Sequence, residues 1–131
     1  VLLHLAAYTG EARYSAAAES ILAPLAGALR EYPLAFGEAL NAVRLFVHGV
    51  QEVAVLGAPD SPETAALLQV LHTGYYPNAV IAHSAADSAD FPPLLVGRSL
   101  LNGLPTAYVC RHFACQLPVN TAEALRAQLA Q

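Results

Sequence analysis

Apolar residues recur at three-and-four spacing through the first third of the chain and then condense into short runs. Leu2, Leu3, Leu5 and Ala6 lead into Tyr8-Thr9-Gly10, where glycine suits a helix end because it takes positive φ without a Cβ penalty. From Glu11 to about Arg30, the residues Tyr14, Ala17, Ala18, Ile21, Leu22, Leu25, Ala28 and Leu29 form the stripe of an amphipathic helix. Pro24 lies inside that stripe and should kink or divide it, since it lacks an N–H and its ring crowds the preceding turn. After the break at Glu31-Tyr32-Pro33, the stretch LAFGEALNAVRLFVHG carries Phe36, Leu40, Val43 and Val47 on one face, and Gly49 ends this third helix.

Past Gly49 the rhythm changes. EVAVLGA is a short apolar, partly β-branched run closed by Gly57 and Pro59, which predicts a buried strand. DSPETAALLQVLHTG predicts a helix starting near residue 61. Either Asp60 caps it with Glu63 three residues on, or Ser61 caps it with Pro62 at the first helical position. AVIAHSA, residues 79 to 85, predicts a second strand. The polar link ADSAD and Pro92-Pro93 then lead to LLVGRSL, which has no clear period, and to a turn at Asn102-Gly103. The third strand runs from Thr106 to about Arg111. Beyond Pro118, Asn120 and Glu123 form a capping pair for a closing helix in NTAEALRAQLA.

Strands alternating with helices predict the α/β class. The expected architecture is an N-terminal helical hairpin segment, residues 1–49, followed over residues 50–131 by a small, mainly parallel three-stranded sheet with packed helices. A length of 131 residues fits one compact domain or two small units sharing a core.

Composition changes this picture in one respect. The chain is 56% hydrophobic but 12% charged, about half the usual share of charge, so part of its exterior is expected to be covered by other polypeptide. All six cations are arginines and the formal net charge is −4, with no basic run to neutralise phosphates, which argues against a nucleic-acid partner. No apolar span is long enough for a membrane helix, and VLLHLAAYTGEARY has no basic leader, so no membrane partner is expected. The start at Val1 suggests a piece of something longer. Two cysteines are too few for the framework of a secreted mini-protein, which makes a cytoplasmic location the default expectation.

Those cysteines, Cys110 and Cys115 in AYVCRHFACQLPV, are the redox or disulfide candidates. In a continuous strand they would point to opposite faces, and in a helix they would lie roughly 140° apart at about 100° per residue. A bend through Arg111 to Ala114 would still let the sulfurs meet. Three readings stay open: two buried apolar thiols, a disulfide or switchable dithiol helped by Arg111 and His112, or zinc ligands, for which the paired spacing of a structural site is missing. No metal and no cofactor are assigned. In a parallel sheet the residues after each strand gather at one edge, so Asp60, His83, Arg111 and His112 are expected as neighbours and weak ligand candidates there. GAPDSPE lacks the glycines of a phosphate loop. His4 and His48 have no catalytic partner at a telling spacing, and no catalytic residue is assigned.

The order LAAYTGEARY, EYPLAFGEAL, EVAVLGAPDSPE, YYPNAV and AYVCRHFACQLPVNTAEAL resembles the C-terminal end of the spermatogenesis-associated protein 20-like family. The resemblance covers nearly the whole chain and is most specific at the final cysteine, phenylalanine, cysteine and proline. It implies a parent with a thioredoxin-like domain, a six-hairpin helical toroid similar to sugar epimerases and glycosidases, and a small appended α/β unit. Residues 1–49 would then be the end of the α/α toroid and residues 50–131 the appended unit. The implied role is a non-catalytic structural or interaction module of a larger protein whose carbohydrate-related or redox activity lies elsewhere. The alternatives are a redox or small-ligand module using Cys110 and Cys115, and a contributor to the toroid's carbohydrate site. The implied partner is the remainder of the parent chain, or a second copy through residues 1–48. No family catalytic residue maps onto this sequence.

Overall fold

A computed structural model describes residues 1–85, 92–112 and 114–130. The polar link read at residues 86–90 lies outside them. The element order is α1 Leu2–Thr9, α2 Ala12–Leu22, α3 Ala26–Glu31, α4 Gly37–His48, β1 Gln51–Leu56, α5 Pro62–Thr73, β2 Ala79–Ser84, β3 Thr106–Arg111, β4 Ala114–Cys115 and α6 Ala122–Leu129. Gly10 ends α1 at φ 71°, donating its N–H to the Ala6 carbonyl. Pro24 divides the long second stripe as its chemistry requires: a 3-10 turn, Ala23–Leu25, separates α2 from α3. At α5 the cap is Ser61, whose hydroxyl accepts from the Thr64 N–H at 3.3 Å while Pro62 occupies the first turn. At α6 it is Thr121, accepting from the Ala124 N–H, rather than Asn120.

The chain is of the α/β class. Its sheet has four strands in the order β2-β1-β3-β4, and only β1 and β2 run parallel. β3 is antiparallel to β1, with Leu56 opposite Thr106 and Gln51 opposite Arg111, and β4 is antiparallel to β3. The expectation of a mainly parallel three-stranded sheet is corrected on this point. A parallel neighbour needs a crossover that carries the chain back to the opposite edge, as α5 does between β1 and β2. Among the described residues between β2 and β3 no helix does this. The described part of the connection is a set of turns ending in a tight reversal at Asn102 (φ 56°) and Gly103 (φ 74°), so β3 starts at the edge where β2 finished and runs backwards.

β1 is buried along its whole length because it is central in the sheet and covered on both faces. On one face Val53, Val55 and Val109 pack with Leu67, Val70 and Leu71 of α5 and Leu125 and Leu129 of α6. On the other, Val50, Ala54, Leu56, Val80 and Ala82 meet Leu94 and Leu95, with Leu3, Ala7 and Tyr8 of α1 and Leu45 of α4 at the margin. Each fully buried Val or Leu contributes about 1.5–3 kcal/mol relative to exposure. The helices before β1 are covered much less: α1 and α4 contain no buried residue, and α2 and α3 contribute Ala18 and Leu29.

Candidate functional site

The cysteines meet at the tip of the β3–β4 hairpin. Strand β3 ends at Arg111 and β4 begins at Ala114, and His112 enters the reversal at φ 51°. Arg111 then faces Ala114 and Cys110 faces Cys115, and the Gln116 N–H donates to the Val109 carbonyl one step further on. The cysteines thus occupy the position between two hydrogen-bonded pairs, where opposing Cα atoms come closest. Their Cα atoms are 3.9 Å apart and the sulfurs are joined as a disulfide. An odd separation that would split the side chains in a straight strand aligns them across the hairpin.

The two sulfurs lie in different surroundings. Cys110 is 2% exposed, whereas Cys115 is exposed on the edge strand. Arg98 donates from Nη1 to Cys115 Sγ at 3.1 Å. That guanidinium is held in place, since its Nε donates to the Leu94 carbonyl at 2.8 Å and its carbon sits 4.9 Å from the centre of the Tyr108 ring. The Tyr108 hydroxyl in turn donates to the Ser99 carbonyl at 2.7 Å. Partial burial draws Arg98 below its ordinary pKa, opposed by the charges of Tyr108 and Glu52. Glu52 is 3% exposed and stands directly across from Cys110 on β1, so both side chains leave the sheet on the same face.

That face also borders a cleft of about 340 Å³ between α1, the start of α2, the end of α4 and the hairpin tip, lined by Ala6, Gly10, Ser15, Phe46, Glu52 and His112 among others. The His112 ring lies against Gly49, where a Cβ would fall on its imidazole atoms. A second cleft of about 390 Å³ gathers Arg44, His48, Tyr75, Asn78 and Arg111.

The expected ligand edge does not assemble. Because β3 runs antiparallel, its end carries Arg111 and His112 to the start of β1, beside Gln51 and Gly49, while Asp60 and His83 lie near the other end of β1. His83 donates from Nε2 to the Gly57 carbonyl at 2.9 Å, and Asp60 is an exposed residue of the turn before α5. Sequence reasoning overlooked Glu52 and Arg98. The signal for Glu52 is a carboxylate opening an otherwise apolar strand; that for Arg98 is a lone cation in the apolar segment LLVGRSL. Among the described residues no three metal-ligating side chains come together, and no helix is long and apolar enough to cross a membrane.

Human spermatogenesis-associated protein 20 is 28% identical over 129 residues, which cover 95% of this chain and 16% of the human protein. The chain is similar in sequence to spermatogenesis-associated protein 20. The mouse form of spermatogenesis-associated protein 20 is 26% identical over 99% of this chain, and the rat form 27% identical over 99%, each match covering 17% of the relative. The chain therefore spans about a sixth of the length of the spermatogenesis-associated protein 20 relatives it matches. No family model matches it, and no solved structure matches at a significant level.

Proposed function

We propose that this chain is a non-catalytic structural or interaction module of a larger polypeptide, whose carbohydrate-related or redox activity resides elsewhere in that polypeptide. On this reading residues 1–49 are the closing helices of an α/α toroid, residues 50–131 are an appended α/β unit, and the remainder of the parent chain covers the helical face. One observation carries the reading: large apolar side chains on the helical segment stand in water. Leu34 is 100% exposed and Val47 65%, with Ile21, Leu40 and Phe46 also exposed. Where apolar side chains adjoin on a soluble surface, that face usually meets other polypeptide. The missing cover has a natural source, since the relatives are about six times longer than the match.

The test is light scattering of the isolated chain at rising concentration, together with binding of a hydrophobic dye. Self-association or strong dye binding is expected, and both should fall when Leu34→Ser and Val47→Asp are combined, with folding stability held within about 0.5 kcal/mol because both positions are exposed. A monodisperse wild-type monomer that binds no dye would remove the reading.

A second reading is favoured by the Arg98 guanidinium on the Cys115 sulfur: the cysteine pair works as a thiol–disulfide site.

A further inference from the structure

We infer that, on the redox reading of the pair, the reduced chain is a disulfide-reducing module in which Cys115 is the attacking thiolate, Cys110 the resolving thiol, Arg98 the group that holds Cys115 ionised and Glu52 the acceptor of the Cys110 proton. The inference rests on that second reading and assigns each group a step in it.

The asymmetry of the hairpin decides the order of events. A partner disulfide reaches the exposed Cys115 sulfur and not Cys110, which is 2% exposed. Cys115 has a fixed cation on its sulfur, and a neighbouring guanidinium stabilises a thiolate over a thiol. The restraint of Arg98 by the Leu94 carbonyl and the Tyr108 ring means that the cation is in place before reduction rather than recruited by it. The other thiol faces a carboxylate. Glu52 opposes Cys110 on the same side of the sheet, and a thiol that is 2% exposed needs a nearby base to lose its proton.

The chemistry balances with a disulfide R–S–S–R′ as substrate. The Cys115 thiolate attacks one sulfur, forming a Cys115–S–S–R bond and releasing R′–S⁻, which takes a proton from solvent. The Cys110 thiol then passes its proton to Glu52 and attacks Cys115 Sγ, which forms the Cys110–Cys115 bond of the structure and releases R–S⁻. The partner gains two electrons and the chain loses two. An external dithiol restores the reduced chain by the reverse exchange.

The experiment uses the reduced 131-residue chain with two probes, oxidised glutathione and a disulfide-bonded peptide, which separate a small disulfide from a polypeptide one as the source of the same chemistry. In Cys110→Ser the mixed disulfide should accumulate at Cys115. In Cys115→Ser no comparable adduct should form at Cys110. Alkylation of Cys115 against pH should titrate below the ordinary thiol value of about 8.5, and Arg98→Gln should return it there, cutting the rate at pH 7 roughly tenfold. Glu52→Gln should leave adduct formation unchanged and slow the release of the second thiol. Peptide mapping of the first cysteine alkylated in the reduced wild-type chain gives the same assignment without any variant. Exchange that starts at Cys110, or a Cys115 reactivity indifferent to Arg98, would overturn these roles and leave the redox reading standing. A folded, reduced chain that reacts with neither probe would overturn both.

Discussion

Replacing Gly49 by alanine should destabilise the chain by about 2 kcal/mol, mainly through the backbone. Gly49 caps α4 at φ 78° and ψ 158°, a region that side-chain-bearing residues scarcely enter and whose occupation costs on the order of 1–3 kcal/mol. A Cβ there would also collide with the His112 imidazole. His112 is exposed and its ring can swing outward, so the steric part is expected to relax to a few tenths of a kcal/mol and the backbone part to dominate. Urea unfolding followed by circular dichroism measures the loss, which should appear as a lower midpoint at unchanged slope. The double variant with His112→Ala separates the two causes, because its coupling with Gly49→Ala should stay below about 0.5 kcal/mol. A Gly49→Ala chain within about 0.5 kcal/mol of wild type would refute the strain argument. A loss fully recovered by His112→Ala would show that the collision, and not the dihedral, is what matters.

Two further outcomes test the fold. Leu67→Ala removes a fully buried side chain of α5 from the cluster around Val53, Val70 and Leu125 and should cost about 3 kcal/mol in the same unfolding assay. Ser61→Ala should cost about 1 kcal/mol because Ser61 is the residue that caps α5, whereas Asp60→Ala should change stability by less than about 0.5 kcal/mol; the opposite ranking would move the cap to Asp60.

Most elements were legible because their signals are local. Gly10 and Gly49 mark helix ends, Pro24 divides a helix, and the switch from three-and-four spacing to short apolar runs falls where β1 begins. Strand direction was not legible in the same way. The pattern of Thr106–Arg111 reads as a strand whichever way it runs, and what fixes its direction is the route between Ser84 and Thr106. The absence of a helical period across LLVGRSL is the feature that separates a hairpin-like return from a crossover. The error propagated to the site, because an antiparallel β3 moves Arg111 and His112 away from Asp60 and His83. The meeting of Cys110 and Cys115 required a bend between them, and the sequence gives little notice of it: the reversal uses a histidine at positive φ where Asn-Gly is the usual signal. Glu52 became a buried neighbour of Cys110 only because β1 lies in the middle of the sheet, a fact of topology that no local pattern contains.

The placement of β1 also sets a timetable for folding. Its two faces are closed in part by segments from remote parts of the chain, α1 well before it and α6 well after it, and its partner β3 is translated some fifty residues later. A chain emerging from the ribosome must therefore carry this greasy ribbon with one flank open until the final helix is made, and loop-closure entropy slows the pairing that would protect it. Shortening the route from β2 to β3 outside Leu94 and Leu95, which cover one flank, should hasten folding.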